Sequence, residues 1–373
     1  MPPRWNCGSR RCAANAPHDR RCVSWLTDIA RPDIRALKAY EHAQWQPGLV
    51  RLHANELPWR ASGDGSIAGL NRYPEPHPHQ LCAALARLYG VNPTMLLAGR
   101  GSDELIDLLI RSYCRAGQDK LIVCPPTFGM YAVAARIQGA QVLEVPLLAD
   151  AGWGIDRAGL LERCDPLVRL IFLCSPNNPT GNRLDRQAIL ALARELEGRT
   201  LLVIDEAYVE FSATPSLVSD IAERPGVVLL RTLSKAHGLA GARCGALIGH
   251  PDVVALLRKV IQPYAITQLT IEAVFRSLEP GALQQARSRI AMLIAERRRV
   301  AAALGATRGV LRVWPSEANF LLAEFQDAAA VLQRAHAAGL LLRDMRHAPG
   351  LGRALRISIG SQEQNDRLLW CLQ

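Results

Sequence analysis

The sequence predicts an α/β protein: a three-layer, mostly parallel sheet domain joined to a smaller α+β domain. Three observations lead there. From about residue 95 to 250, short apolar runs alternate with amphipathic stretches, the pattern of strands separated by covering helices. The runs near residues 170, 201 and 227 are almost continuously apolar, as strands buried on both faces must be. Beyond about residue 270 the chain changes to a long charged helical stretch followed by short strands. At 373 residues, 49% apolar and 21% charged, the chain has ordinary globular composition and room for two domains.

Residues 1–23 carry Arg4, Arg10, Arg11, Arg20 and Arg21 against Asp19 alone, together with Cys7, Cys12 and Cys22. They lack the apolar core of roughly 7–15 residues that a secretory signal needs. The expectation is a disordered basic extension, with a transit peptide as the other reading. Residues 24–65 hold their own helix and turn signals and are expected to pack with the small domain. Residues 66–268 form the large domain, with strands predicted at Leu121–Cys124, Gln141–Val145, Arg169–Cys174, Leu201–Ile204, Val227–Leu230 and Cys244–Ile248. Ser102 or Gly101 is expected to cap a helix that runs to about Ala116 and is closed by Gly117; another spans Arg186–Leu196. Residues 269–373 form the small domain, with a charged helix over Ala282–Leu304 and strands at Phe320–Ala323 and Ala354–Ile359.

Composition excludes several function classes. The net charge of +10 is scattered, so it reads as solubility or as an affinity for anionic ligands. No Lys/Arg run carries interleaved aromatics, which argues against nucleic acid. No apolar stretch is long enough to cross a bilayer. Cys82, Cys114, Cys124, Cys164, Cys174, Cys244 and Cys371 lie mostly inside apolar patterns, and none forms a Cys-x-x-Cys pair. Neither a metal site nor a redox pair is expected, and a reducing cytoplasm suits this usage.

Four segments carry chemistry. Lys235 follows the strand Val227–Leu230 within Arg231-Thr-Leu-Ser-Lys-Ala-His-Gly-Leu-Ala-Gly-Ala-Arg243. An amine held at a strand's end and partly desolvated becomes a nucleophile toward carbonyls, including an aldehyde cofactor; a surface lysine in a Gly-rich turn is the plain alternative. Gly99-Arg-Gly-Ser-Asp-Glu-Leu-Ile106 reads as a phosphate cup at a helix N-terminus or as an ordinary cap. Cys174-Ser-Pro-Asn-Asn-Pro-Thr-Gly181 is a rigid loop presenting the amides of Asn177 and Asn178 at a strand's carboxyl end. Asp205, closing the apolar strand Leu201–Ile204, needs a cationic or hydrogen-bonding partner. A pyridinium nitrogen is one such partner and a structural salt bridge is the other; Tyr208 could aim at the same ring. Arg243 offers a cation to a phosphate and Phe128 a ring to stack. His237 invites a general-base role that a released lysine amine makes unnecessary. All four segments lie just beyond strand ends, where open α/β sheets bind ligands.

The strings Ser175-Pro-Asn-Asn-Pro-Thr-Gly181, Asp205-Glu-Ala-Tyr208 and Ser234-Lys235 resemble the fold-type I aminotransferases, which use pyridoxal phosphate. Over roughly residues 35–373 the chain resembles the histidinol-phosphate aminotransferase family, through Ala54-Asn-Glu, Arg72-Tyr-Pro-Glu75, Gly101-Ser-Asp-Glu104, Cys124-Pro-Pro-Thr-Phe-Gly-Met-Tyr131, Arg231-Thr-Leu-Ser-Lys-Ala236, Leu239-Ala-Gly241, Lys259-Val-Ile and Leu355-Arg-Ile-Ser358. The resemblance implies Lys235 as the Schiff-base lysine, Asp205 at the pyridinium, Tyr208 and Asn178 at the phenolic oxygen and Phe128 against the ring. It implies Ser102, Asp103, Ser234 and Arg243 around the phosphate, joined by Tyr73 from the partner subunit of a homodimer. Arg356 matches the arginine that holds the substrate's anionic group, and Arg343, Asn55 and Tyr40 match further substrate-side positions. Ala39, Phe128 and His237 depart from the common proline, tyrosine and phenylalanine, and residues 1–23 have no counterpart. The implied reaction moves an amino group reversibly between L-histidinol phosphate and 2-oxoglutarate, giving imidazole-acetol phosphate and L-glutamate in histidine biosynthesis. An aromatic aminotransferase or a threonine-phosphate decarboxylase on the same scaffold is the alternative.

Overall fold

The computed structural model describes residues 25–42, 46 and 48–372, so the expected extension over residues 1–23 lies outside the described residues. The short helix α1 (Pro32–Ala36) and α2 (His79–Tyr89) precede the sheet domain. Then follow β1 (Leu96–Gly99), α3 (Gly101–Tyr113), β2 (Lys120–Val123), α4 (Met130–Gln138), β3 (Gln141–Glu144), α5 (Arg157–Arg163) and β4 (Val168–Cys174). The sheet domain continues with α6 (Arg186–Glu195), β5 (Leu201–Asp205), β6 (Val227–Thr232), β7 (Gly245–Ile248), α7 (Pro251–Arg258) and α8 (Gln268–Ser277). The remainder is α9 (Pro280–Gly305), β8 (Val310–Val313), β9 (Phe320–Phe325), α10 (Ala328–Ala337), β10 (Arg343–Asp344), β11 (Ala354–Ser358) and α11 (Gln362–Leu372).

The large sheet has seven strands in the order β1-β7-β6-β5-β4-β2-β3. β7 runs antiparallel to both of its neighbours, while β6, β5, β4, β2 and β3 are parallel. Alternate residues of the central strands feed two cores. Leu170, Phe172, Leu201 and Val203 belong to one, and Ile171, Leu173, Leu202 and Ile204 to the other. Both faces are therefore sealed, which is why these strands read as unbroken apolar runs. A separate antiparallel sheet, β10-β11-β9-β8, carries its own core of Leu321, Ala323, Leu355 and Ile357 against Val300 and Leu304 of α9.

Several local expectations need correcting. α3 starts at Gly101 after the cap residue Arg100, and no side chain of Arg100 caps it. Ser102 therefore lies inside the first turn. The Glu104 carboxylate turns back to accept the Arg100 N–H at 2.6 Å, which leaves the serine hydroxyl without a capping duty. The helix also ends earlier than expected, with Cys114 as its C-cap, so Gly117 belongs to the following turn. β1 and α2 were not among the expected elements, although α2 carries an apolar stripe of Leu81, Leu85 and Tyr89 closed by a left-handed Gly90; the four-residue β1 joins the sheet through β7.

Candidate active site

The parallel direction of β4, β5 and β6 puts Cys174, Asp205 and Thr232 at one edge of the sheet. Because β7 runs the opposite way, its beginning reaches that same edge, with Gly245 paired to Thr232 on one side and to Gly99 on the other. Arg243 is thus delivered beside Lys235 and the N-terminus of α3 by the one reversed strand. Two glycines make the approach possible. A Cβ on Gly245 would lie 2.6 Å from the Gly101 carbonyl carbon, and one on Gly101 would lie 2.8 Å from Arg243 Nη2. Gly101 and Arg243 both adopt left-handed backbone angles, φ +80° and +55°, the second at a cost that a non-glycine residue accepts only when its surroundings enforce it.

A cavity opens at this edge, lined by Ser102, Asp103, Phe128, Cys174, Asn178, Asp205, Ala207, Tyr208, Thr232, Ser234, Lys235, Ala240 and Arg243. All of the expected cofactor positions except Tyr73 are therefore together. Arg243 Nη2 lies 3.0 Å from Asp103 Oδ2, and its Nη1 reaches Ser234 Oγ at 3.5 Å. The Asp103 side chain is committed to that arginine. What Asp103 can offer an anion is the backbone N–H of the first turn of α3, beside the Ser102 hydroxyl.

Asp205 is sealed from solvent, and burial pushes its carboxyl up to about 6 despite the hydrogen bonds it accepts. Tyr208 packs edge-on to Phe320 of β9 with centroids 5.2 Å apart, and burial raises its phenol, which therefore stays protonated. Lys235 Nζ sits 5.8 Å from the centroid of the Tyr208 ring. Partial burial holds its ammonium below the ordinary lysine range, and the Arg356 and Arg243 charges act the same way. Asn178 donates from Nδ2 to the Tyr208 hydroxyl at 3.4 Å and accepts from Arg356 Nη1 on its Oδ1. It bridges the two sheets. Asn177, expected beside it in the site, instead turns into its own loop, donating to the Pro126 carbonyl at 2.8 Å and to Thr180 Oγ1 at 2.6 Å.

A second, wider cavity continues from the first. It shares Phe128, Asn178, Tyr208 and Lys235 and adds Arg343, Arg356, Met345 and His347. Arg343 and Arg356 face each other as cross-strand partners on β10 and β11. Like charges in register repel, and a bound anion between them would relieve that repulsion. Arg356 also lies over the Phe320 ring, 5.4 Å from its centroid.

Asn55, Tyr73 and Tyr40 are not brought to these cavities. Asn55 and Tyr73 line a third depression with Tyr264, whose ring is 4.8 Å from that of Tyr73. Glu56 holds this segment, accepting the Tyr73 N–H at 2.6 Å and pairing with Arg51 and Arg72. Tyr40 stands 73% exposed. Two residues that sequence reading left out belong to the site: Phe320, lodged between Tyr208 and Arg356, and Tyr131, whose hydroxyl donates to Asp205 Oδ2 at 2.7 Å. His237 does not line either cavity, and burial holds its imidazole below the ordinary range. Among the described residues, no group of three or more His, Cys, Asp or Glu is placed to hold a metal ion, and no helix is long and apolar enough to cross a membrane.

Residues 49–371 match the sequence profile described as aminotransferase class I and II. The chain is 45% identical over 348 residues to the histidinol-phosphate aminotransferase of Stenotrophomonas maltophilia strain R551-3, covering 92% of this chain and 95% of that one. Its fold is similar to that of the Sinorhizobium meliloti histidinol-phosphate aminotransferase crystallised with pyridoxal 5'-phosphate, at TM-score 0.71 and 27% identity, over 81% of this chain and 82% of the other. It is also similar to the L-threonine-O-3-phosphate decarboxylase of Porphyromonas gingivalis, at TM-score 0.70 and 25% identity, over 81% and 90% of the two chains.

Proposed function

Because the chain belongs to the class I and II aminotransferase family, we propose that it exchanges an amino group between L-histidinol phosphate and 2-oxoglutarate, using pyridoxal 5'-phosphate. The observation that carries the substrate reading is the pair Arg343 and Arg356, opposed in register at the open end of a cavity whose inner end holds Lys235 and Asp205. Two guanidinium forks suit a phosphate in one half-reaction and a carboxylate in the other.

The donor set fits the cofactor. The cavity has a guanidinium, two hydroxyls and a helix N-terminus on one side and a buried carboxylate, a phenol and an amide on the other. When bound, pyridoxal phosphate supplies an aldehyde carbon and a protonated ring that draws electrons from the substrate's Cα. Arg243, Ser102, Ser234 and the first-turn amides of α3 would hold its phosphate. Asp205 would meet its ring nitrogen, Asn178 and Tyr208 its phenolic oxygen, and Phe128 its face. Lys235 would have two duties: its Nζ would hold the aldehyde carbon, and as a free amine it would take the proton from the substrate Cα. A depressed basicity serves both, since only the neutral amine can act. Arg356 orients the substrate through its anionic end. Its contact with Asn178 ties that orientation to the group beside Tyr208.

Tyr73 belongs to this reading as a contribution from a second subunit. In its own chain it lines a depression that shares no residue with the Lys235 cavity, and the reading places it, in a homodimer, at the partner's phosphate site. Asn55, beside Tyr73 in the same depression, and Tyr40 remain proposed substrate-side residues. The enzyme is proposed to act in the cytoplasm, with no nucleic-acid or membrane partner.

The test is an assay of the purified protein with histidinol phosphate, phenylalanine or threonine phosphate, each with 2-oxoglutarate. Histidinol phosphate should give the highest kcat/KM and shift the visible band of the yellow protein. The likeness to the L-threonine-O-3-phosphate decarboxylase supports a second reading, decarboxylation of threonine phosphate. Carbon dioxide release from threonine phosphate, without turnover of histidinol phosphate, would replace the first reading by the second.

A further inference from the structure

Tyr131 lies in the first turn of α4, 74 residues from Asp205 in sequence. Its ring is fully buried, stacked on Phe172 of β4 with centroids 4.8 Å and planes 14° apart, and it meets Phe128 edge-on at 5.6 Å. Held this way, its hydroxyl donates to Asp205 Oδ2 at 2.7 Å. The other carboxylate oxygen accepts the Ala207 N–H at 3.0 Å. One donor on each oxygen fixes the carboxylate's rotation and leaves further lone pairs for a third donor. That third donor would come from the cavity, which Asp205 lines and Tyr131 does not.

The charges around this carboxylate do not favour its ionisation. Asp103 from α3 and Glu206 from its own loop both oppose it, Cys174 and Tyr208 flank it, and Lys235 is the nearby cation. Burial is the largest influence and also opposes the charge. Against these stand the Tyr131 hydroxyl and the Ala207 N–H. Burial raises the Tyr131 phenol well above its ordinary range, so it remains a donor throughout the working pH range.

We propose that Tyr131 is a positioning residue: its phenol orients the Asp205 carboxylate toward the cofactor's ring nitrogen and sets the lowest pH at which the apoenzyme captures pyridoxal phosphate tightly. The inference rests on the reading that places Asp205 at that nitrogen. Removing the hydroxyl while keeping the ring isolates the effect. Losing a hydrogen bond to the ionised form raises a carboxyl's titration midpoint by roughly one to two pH units.

The experiment follows the Asp205 carboxyl stretch in the apoenzyme by infrared difference titration, assigned by its disappearance in Asp205→Asn. Affinity for pyridoxal phosphate is measured across the same pH range. Tyr131→Phe should move the midpoint up by about one unit or more and weaken cofactor binding roughly tenfold on the acid side, with the loss closing at alkaline pH. Site-specific 3-fluorotyrosine at position 131, a stronger donor of nearly the same shape, should move the midpoint down. That second arm keeps the test decisive if Tyr131→Phe folds poorly. A midpoint that does not move, or an affinity loss equal at every pH, overturns the proposal and leaves Tyr131 a packing residue. If Asp205→Asn binds pyridoxal phosphate as tightly as the unaltered enzyme, the placement of Asp205 is what fails, and the Tyr131 proposal falls with it.

Discussion

The edge of the seven-stranded sheet and the β10–β11 ribbon of the four-stranded sheet face one continuous cavity but are built differently. The first gathers its groups from five separate segments: Asp205 at the end of β5 and Asn178 after β4, both buried, with Lys235 after β6, Arg243 before β7 and Ser102 in α3 reaching the cavity from its rim. The second supplies two arginines from adjacent strands, with Arg343 exposed and Arg356 only partly buried. A rigid, over-determined edge suits a group of constant shape. A pair of guanidinium forks on adjacent strands suits two different anions in turn. The contrast predicts that damage to the first region disables the enzyme, whereas damage to the second changes what it prefers.

The largest break in that contrast is Lys235→Ala. Steady-state assay should show kcat/KM falling by at least about 10³-fold for every amino donor, because a proton carrier and a nucleophile are lost together. Next comes Asp205→Asn in the apoenzyme. A folded carboxyl near 6, against the ordinary 3.8, binds its proton more tightly than the unfolded chain does. Stability therefore falls as pH rises from about 4 to 6, and the deficit, on the order of 3 kcal/mol, persists above that. Thermal melts should show apo Asp205→Asn more stable than the unaltered apoenzyme at pH 8, with the difference vanishing toward pH 4. A gap that does not depend on pH would mean that Asp205 is not stored unfavourably.

The substrate ribbon should give smaller and more selective effects. Arg356→Lys should lower kcat/KM in both half-reactions by roughly tenfold, the value of a charge-assisted fork, while cofactor affinity changes less than about twofold. An unchanged glutamate half-reaction would remove Arg356 from the anion site. Arg343→Gln, at an exposed position, should cost only several-fold and unequally for the phosphate and carboxylate substrates. A loss of equal size for both substrates would blur the distinction between the two regions.

The edge of the large sheet was legible in the sequence because each segment pairs an apolar strand with a polar terminus: Val227–Leu230 before Ser234 and Lys235, Leu201–Ile204 before Asp205. Arg243 was legible for the same local reason, although the reversed strand that delivers it was not. What sequence could not supply was direction within a loop or a helix turn. Asn177 and Asn178 are neighbours of equal chemistry, yet the first closes its own loop and the second faces the cavity. Ser102 reads as a cap, yet the helix begins one residue earlier and Arg100 holds the cap position. Tyr131 stands three residues beyond Phe128, a spacing that brings the two rings together, but its partner lies 74 residues away. Asn55 and Tyr73 show another boundary: both line a depression apart from the Lys235 cavity, a separation that no local pattern of the sequence foretells.

The proposed chemistry depends most on the covalent use of one amine. Borohydride reduction of the purified protein loaded with pyridoxal phosphate, followed by peptide mapping, tests it directly. A single pyridoxyl group is expected on the peptide containing Lys235, absent from Lys235→Ala. A pyridoxyl group on another lysine, or on none, would contradict it.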